Sequence, residues 1–249
     1  MPEWTSRVLR LSIAIVSTAV VTAPVWSARP LGAEPPTVRR GETTVTAADE
    51  ASQAQRQRRG RNSADRRRQE IERTSELLGL RPGMIVAEIG AGGGQFGFRF
   101  AEIVGTEGRV YVNELDPADV KRIRQRAEEQ ELDNVVAVQG AVDDAELPDG
   151  CCDAMMMRMV YHMMTSPVPM SESFLRALKP GGRLAILDGD PEPGRNNADG
   201  VPTNRAGMGI DPQIVIDELV AVGFEFDRHI EDWTGSDYAL LFRKPAGRR

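Results

Sequence analysis

Cysteine and histidine are scarce in this sequence, with two of each among 249 residues. So few cysteines exclude a disulfide framework and a four-cysteine zinc site, and so few histidines exclude a histidine-rich metal centre. The cysteines, Cys151 and Cys152, are adjacent, and neighbouring cysteines rarely bond because the small ring strains the peptide between them. We therefore expect them to stay unbonded, and we predict no metal site.

Long apolar runs are also scarce, and the longest, residues 11–26, follows two arginines and precedes small residues. A basic start, a short apolar stretch and small residues are typical of a secretory signal. Residues 1–28 are therefore predicted to be a signal peptide or a membrane anchor, because the stretch is at the lower limit for spanning a bilayer. The protein is expected to be exported, periplasmic or secreted, or tethered to the membrane, and cytoplasmic if the leader does not function.

Large apolar residues are nearly absent from residues 29–65, which are rich in Pro, Thr, Ala, Gln and Arg. Such a composition cannot bury a core, so this segment is predicted to be a disordered basic linker. Its end carries a cluster of arginines: Arg56, Arg58, Arg59, Arg61, Arg66, Arg67 and Arg68. We interpret the cluster either as the solvated start of a helix or as a site of attraction to anionic lipid or nucleic acid, which leaves membrane association through leader and linker open.

The charge is distributed unevenly along the chain. Residues 1–68 carry 12 Lys/Arg and 6 Asp/Glu, a net charge of +6, which leaves −12 for residues 69–249 of a chain whose net charge is −6. An acidic domain repels phosphates, so no nucleic-acid partner is expected for it. With 41% hydrophobic and 27% charged residues, disorder of the whole chain is excluded.

Residues 66–249 read as one α/β domain. After a helix that Gly79 ends, strands are predicted at 84–89, 109–114, 134–138, 152–157, 183–187, 224–230 and 238–243, and helices at 95–104, 117–130, 171–178 and 212–222. This alternation predicts a Rossmann-like, doubly wound sheet, mostly parallel, with helices on both faces. The last two strands have little between them and are expected to be antiparallel neighbours. Ligands of such sheets bind at the carboxyl ends of the strands.

A glycine-rich turn, Gly90-Ala91-Gly92-Gly93-Gly94, follows the first predicted strand and its Glu88. Glycines let the backbone turn tightly and approach a ligand closely, and the next helix presents free N–H groups. Counted from Gly92, the spacing to Gly97 also fits a dinucleotide fingerprint, so nicotinamide binding stays open at this point.

Carboxylates follow the next two strands. Glu114 can accept hydrogen bonds from both hydroxyls of a ribose, or it is a solvated turn residue. Asp143 and Asp144 can accept from the amino group of an adenine, or one of them caps a helix.

The order of these motifs resembles the class I S-adenosylmethionine-dependent methyltransferases. The resemblance rests on Glu88-x-Gly90-x-Gly92-x-Gly94, Glu114, Asp143-Asp144, Leu147-Pro148-Asp149-Gly150 before Asp153, and Leu178-Lys179-Pro180-Gly181-Gly182-Arg183-Leu184, and it covers about residues 70–245. It implies a seven-stranded sheet whose last strand is antiparallel, and S-adenosyl-L-methionine as cofactor.

The resemblance also implies roles for single residues. Glu88, Gly90, Ala91, Gly92 and Gly94 would lie along the methionine and ribose of the cofactor. Glu114, followed by Leu115, would hold the ribose hydroxyls, and Asp143 or Asp144 would meet the adenine. Met157 and Arg158 would border the methionine end.

The acceptor is expected to lie after the fourth strand, at Tyr161 and His162, which resemble a pair in many small-molecule methyltransferases. His162 is a candidate general base, or it only lines the pocket, and Tyr161 would orient the acceptor.

The methionines at 155–157, 159, 163 and 164 are interpreted as core. Residues 189–210 are predicted to be a lid or acceptor loop, with Arg195, Arg205 and Met208 as candidates to face the acceptor.

The sequence therefore predicts an enzyme that methylates a small molecule. An exported, non-catalytic nucleoside-binding protein with a degenerate methyltransferase fold is the first alternative, because the cofactor is made in the cytosol. The intact glycine turn and Glu114 argue against it. A nicotinamide oxidoreductase is the second alternative, which the pattern at residues 178–184 disfavours.

The leader can be tested directly. If it is a cleaved export signal, sequencing of the native protein from its N-terminus should begin between about residues 28 and 34. Recovery of an intact Met1 from a soluble cytosolic fraction would contradict export.

Overall fold

The computed structural model describes residues 47–191, 197–205, 207–234 and 237–247, with side chains from residue 63 onward. The chain divides into two compact units, Met1–Asp49 and Glu50–Arg249, and the second holds every described strand. The predicted signal, residues 1–28, and the first part of the predicted linker lie outside the described residues. Among the helices that are described, none combines the length and the apolar character that crossing a bilayer requires.

Strands and helices alternate along the second unit. The strands are β1 (Ile85–Ile89), β2 (Arg109–Glu114), β3 (Val135–Gln139), β4 (Cys152–Arg158), β5 (Leu178–Gly189), β6 (Glu225–Ile230) and β7 (Asp237–Arg243). The α-helices are α1 (Ala47–Leu78), α2 (Gln95–Val104), α3 (Pro117–Glu129), α4 (Pro167–Ala177) and α5 (Pro212–Val222), and a short 3-10 helix, Tyr161–Met163, follows β4.

The strands form one sheet in the order β3-β2-β1-β4-β5-β7-β6. Six strands are parallel, and β7 runs antiparallel between β5 and β6. The predicted Rossmann-like fold with an antiparallel last strand is confirmed, and so is the antiparallel pairing of the last two strands. Because β1, β2 and β4 are parallel neighbours, the residues that follow them lie at one edge of the sheet.

The core lies on both faces of the sheet, as β4 shows. Met155 and Met157 pack on one face, and Ala154 and Met156 pack on the other, since successive side chains of a strand point to opposite sides. All four are fully buried, and burial of a methionine side chain stabilises the fold by about 1.5–3 kcal/mol. The interpretation of residues 155–157 as core is therefore confirmed.

Helix α1 begins earlier than the sequence indicated. It starts at Ala47, inside the segment predicted to be a linker. Ala, Gln, Arg and Glu dominate that segment and have high helix propensity, although they provide no apolar stripe. Among the side chains of α1 that the structure describes, from residue 63 onward, Ile71 and Leu78 are buried in the core.

Cys151 and Cys152 form a disulfide at the start of β4. The expectation that this adjacent pair stays unbonded is wrong. The peptide of the pair lies in a turn that leads directly into the strand, and Cys152 is fully buried.

Helix α2 packs closely against β1 and β2. The N–H of Gly97 donates to Oε2 of Glu88 at 2.7 Å, and a Cβ at position 97 would lie 2.5 Å from Cγ2 of Val112 and 2.9 Å from that same oxygen. Only a glycine at this position lets α2 approach the strands so closely. Burial raises the pKa of Glu88 to about 8, although hydrogen bonds from the Gly97 and Phe96 amides favour the ionised carboxylate.

This raised pKa predicts that stability falls as pH rises. Between the ordinary pKa of a glutamate, near 4.5, and about 8, the native protein holds a proton on Glu88 that the unfolded chain has lost. The free energy of unfolding then falls by up to about 1.4 kcal/mol for each unit that the pH rises across this range. Denaturant titrations at about pH 5 and about pH 8 should show this loss for the parent, and a smaller loss for Glu88→Gln.

Glu128→Gln, at an exposed position of α3, is the matched control and should retain the parental dependence. Equal pH dependence of the parent and Glu88→Gln would show that Glu88 is ionised in the native protein.

Candidate active site

The turn after β1 forms a loop with one open face, called here the glycine loop (residues 90–94). Gly90, Gly92 and Gly94 have φ angles of 64°, 54° and 69°, which favour glycine. A Cβ at Gly90 would lie 2.6 Å from Cγ2 of Val160, so packing also requires glycine there. A Cβ at Gly92 or at Gly93 would meet no protein atom within 4 Å, so this face of the loop has room for a ligand.

Glu114 ends β2 beside the glycine loop. Its Oε2 accepts a hydrogen bond from the Gly92 N–H at 2.6 Å, and its Oε1 accepts one from the Leu115 N–H at 2.8 Å. A carboxylate oxygen has several acceptor directions, so Glu114 can hold the loop and still accept hydrogen bonds from a ligand.

An apolar cavity of about 390 Å³ opens beside Glu114. The predicted site residues that line it are Gly90, Gly92, Glu114, Leu115 and Arg158. Its other lining residues are Ile89, Asn113, Val142, Met159, Val160, Met163, Met164, Thr165 and Met170. The interpretation of Met159 and Met163 as core therefore needs correction, because they form a wall of this cavity. Met164 also lines the cavity, but it is buried in the core as predicted.

A second cavity, of about 270 Å³, is called here the arginine cavity. The predicted residues that line it are Glu88, Gly90, Ala91 and Arg158, together with Arg67, Gly93, Gln95 and Phe96. Gly90 and Arg158 are common to both cavities. Gly94 and Met157 line neither: Gly94 is packed against Phe98, and Met157 is fully buried in the core.

The two aspartates after β3 lie outside both cavities. Oδ1 of Asp144 accepts from the Glu146 N–H at 2.8 Å and Oδ2 accepts from Arg176 at 2.5 Å. The backbone hydrogen bond and then the guanidinium lower the pKa of Asp144. Val142 lines the apolar cavity instead, although the residue types in this turn indicate its carboxylates as the candidates for a ligand.

Tyr161 and His162 are buried and do not line either cavity. The Tyr161 hydroxyl donates to Oε2 of Glu218 at 2.9 Å, and burial, followed by the charge of Glu218, raises the pKa of this tyrosine. Nδ1 of His162 lies 2.7 Å from Oδ1 of Asp188, at the end of β5. Asp188 is a partner that the sequence analysis missed, although it closes a strand as Glu114 does.

The other ring nitrogen of His162 is the unusual atom of this pair. Nε2 is buried and has no hydrogen-bond partner among the described residues. Asp188 also accepts the backbone N–H of His162 at 3.2 Å, which fixes the position of the ring. His162 can act as a general base only if its Nε2 reaches the acceptor.

The predicted acceptor loop is described in part. Arg205 was expected to face the acceptor, but its side chain is buried and donates to both carboxylate oxygens of Glu218, at 3.2 and 2.7 Å. Its guanidinium also lies 5.7 Å from the ring centroid of Tyr161. Met208 is 46% exposed, and Arg195 lies outside the described residues. Arg205 therefore holds the loop to α5.

Comparisons of the sequence with a family model and with known proteins indicate the same family. A family model described as "Methyltransferase domain" matches residues 80–213. Relatives named ubiquinone/menaquinone biosynthesis C-methyltransferase UbiE are 34% identical in Ectopseudomonas mendocina and 31% identical in Shewanella woodyi, each over 116 residues. These matches cover 46% of this chain, and the chain spans about half the length of these relatives, 45% and 46%.

Solved structures share the fold. A SAM dependent methyltransferase from Aquifex aeolicus matches with a TM-score of 0.58 and 23% identity, over 70% of this chain and 88% of that one. A putative sarcosine dimethylglycine methyltransferase from Galdieria sulphuraria matches with a TM-score of 0.59 and 14% identity, over 75% and 88%. With the sheet order, the glycine loop and the match over residues 80–213, these findings show that the chain belongs to the class I S-adenosylmethionine-dependent methyltransferase family.

Proposed function

We propose that this chain transfers the methyl group of S-adenosylmethionine to a small, apolar acceptor. The observation that carries the proposal is the apolar cavity, which is lined by the glycine loop and Glu114 and also by a wall of methionines. One cavity thus combines groups suited to a nucleoside with a surface suited to an apolar molecule.

The residues fit the nucleoside part of the cofactor. The space beside Gly92 and Gly93 is free of protein atoms, so the backbone can be approached closely. Glu114 offers carboxylate oxygens for the ribose hydroxyls. Leu115 and Val142 are apolar yet 45% and 55% exposed where they line the cavity, which suits contact with the faces of a flat adenine ring.

When bound, the cofactor supplies a methyl group on a positively charged sulfur, which an in-line nucleophile can take. The chain contributes alignment of the two reactants and exclusion of water. Val160, Met163 and Met164 provide an apolar, polarisable surface for this. The only titratable side chains that line the cavity among the described residues are Glu114 and Arg158.

This lining favours an acceptor that is apolar and already nucleophilic. The names of the curated relatives, which are C-methyltransferases of ubiquinone and menaquinone biosynthesis, agree with an electron-rich carbon on an apolar ring. Export through the leader remains part of this proposal, and its test is the N-terminal sequence.

Cofactor binding should depend on Glu114. A hydrogen bond to a charged group contributes about 1.5–3 kcal/mol, so Glu114→Ala should weaken binding of S-adenosylhomocysteine about tenfold to a hundredfold, measured by titration calorimetry. Asp143→Ala is the matched control, because this aspartate follows the neighbouring strand but lies outside the cavity, and its affinity should stay close to that of the parent. An unchanged affinity of Glu114→Ala would show that this carboxylate only holds the loop.

His162 is proposed as the general base for an acceptor that must lose a proton. His162→Ala should then reduce single-turnover methylation by about 10²–10⁴-fold and leave the affinity for S-adenosylhomocysteine nearly unchanged.

His229→Ala removes the other histidine of the chain, an exposed residue of β6, and should keep parental turnover. A His162→Ala enzyme with parental turnover would leave alignment and desolvation as the whole contribution of the protein.

A further inference from the structure

A groove of about 710 Å³ lies between α1, α2 and α3, and four arginines line it. Arg67 and Arg68 belong to α1, Arg99 belongs to α2 and Arg126 belongs to α3. Among the described lining residues, the one acidic side chain is Glu102. This space, called here the basic groove, therefore carries four positive charges and one negative charge on its lining. A cavity of this size is typical of a site for a small ligand.

The basic groove is built by the packing of three helices. Residues four positions apart share one face of a helix, and each helix contributes such a pair to the lining. The pairs are Arg67 and Ile71, Gln95 and Arg99, and Arg126 and Gln130. Buried residues of all three helices belong to one apolar cluster on the sheet, so the helices form one layer. The fold thus brings together arginines that are far apart in the sequence.

Arg126 is fixed in the groove by neutral partners. Its Nη1 donates to the backbone oxygen of Gly93 at 2.9 Å, and its guanidinium lies 4.5 Å from the ring centroid of Phe98. Neither partner carries a negative charge, and a guanidinium has five N–H donors. Arg126 therefore keeps its charge and most of its donors for an anion.

The other three arginines differ in their partners. Arg67 pairs with Glu70, and Arg99 pairs with Glu102, each within its own helix. Arg68 is exposed and has no ion-pair partner among the side chains that the structure describes. Arg68 therefore adds a second positive charge that is not neutralised within this part of the chain.

The sequence before the groove favours the phosphates of a lipid surface. The longest apolar run of the chain, residues 11–26, lies upstream, and α1 carries further arginines before the groove: Arg56, Arg58, Arg59 and Arg61. Basic residues that follow an apolar segment are typical of chains that meet anionic lipids, because the headgroups attract arginine. Guanidinium groups also match the geometry of phosphate oxygens.

The charge of the remaining domain disfavours a nucleic acid in the groove. Residues 69–249 carry a net charge of −12, and a nucleic acid that extended beyond the groove would run along this acidic domain. A membrane contacts only one side of a protein, so it can meet the arginines without meeting most of the acidic residues.

We propose that the basic groove docks this protein on anionic membranes, with Arg68 and Arg126 bound to lipid phosphate groups. This goes beyond the proposed function and does not depend on it, because docking requires neither cofactor nor acceptor. Docking also serves methyl transfer. The groove shares Arg67 and Gln95 with the arginine cavity, so docking holds the candidate site next to a bilayer, in which an apolar acceptor accumulates.

The test measures binding of the full chain to two kinds of vesicle by sedimentation. One kind is phosphatidylcholine alone, and the other contains equal parts of phosphatidylcholine and the anionic lipid phosphatidylglycerol. The parent should bind the anionic vesicles more tightly, and added salt should remove this preference because it screens the charges. Variants of Arg68 should bind S-adenosylhomocysteine as the parent does, since Arg68 lines neither cavity of the candidate site.

Variants of Arg68 measure the contribution of the groove. An arginine near an anionic membrane contributes about 1 kcal/mol, which is about fivefold in affinity. Arg68→Gln should therefore weaken binding to the anionic vesicles about fivefold, and Arg68→Glu, which changes the charge by two, about twentyfold. Thermal denaturation checks that each variant is folded.

Arg124→Glu is the matched control, because this arginine is exposed on α3 outside the groove. Its affinity for the anionic vesicles should stay within about twofold of the parental value, since the attraction falls off within a Debye length.

Two results would overturn the proposal: equal binding of the parent to both kinds of vesicle, or an equal loss in Arg68→Glu and Arg124→Glu, which would assign the effect to net charge alone. Two other ligands are tested alongside. If the parent shows no preference for anionic vesicles, binding of a mixed-sequence DNA duplex that Arg68→Glu loses would assign the groove to nucleic acid. Thermal stabilisation of the parent by inorganic phosphate, again without a vesicle preference, would assign it to a free anion.

Discussion

The hydrogen bond from the Gly97 amide to the buried carboxyl of Glu88 holds α2 against the ends of β1 and β2, and both cavities depend on that contact. Because α2 lies so close, the chain must reverse within the glycine loop, and its left-handed glycines expose backbone on one side. The apolar cavity and the arginine cavity open on this loop. A bulkier residue at position 97 would displace the helix and with it the shared wall of both cavities.

The segments after β4 and before α5 are held by a different set of interactions. Glu218 of α5 accepts hydrogen bonds from Tyr161 and from Arg205, so one carboxylate connects the segment after β4 with the loop before α5. The His162–Asp188 pair joins the ends of β4 and β5 nearby. The glycine loop therefore depends on backbone geometry, whereas the segments after β4 and before α5 depend on pairs of largely buried side chains.

Sequence patterns predicted regular structure better than side-chain direction. The bounds of α2, β2 and α5 agree with the prediction, because proline, glycine and periodic apolar residues mark their ends clearly. The start of α1 could not be found in this way, since a helix without an apolar stripe resembles a linker. In the site, Glu114 was predictable because it closes a strand beside the glycine loop.

The failures have a common physical origin. Val142 and Asp144 are two residues apart in an irregular turn, and only the folded chain decides that the first lines the cavity while the second pairs with Arg176. Arg67 belongs to a run of charged residues, and its packing against the glycine loop results from a long-range contact of α1. The sequence alone does not indicate which residue of the turn lines the cavity, or where the side chain of Arg67 packs.

The position of β7 has a consequence for how much of the chain is needed to fold. This strand is the last in sequence but lies inside the sheet, where it pairs with residues 183–189 of β5 on one side and with β6 on the other. A chain that stopped near residue 213, where the family match ends, would leave β5 as an open edge with Leu184 and Ile186 uncovered, and such an edge recruits strands from other molecules. The lining of both cavities therefore ends at Met170, well before the sheet is complete. A fragment that ended with the family match would keep every residue of the two cavities and lack the strand that closes the sheet.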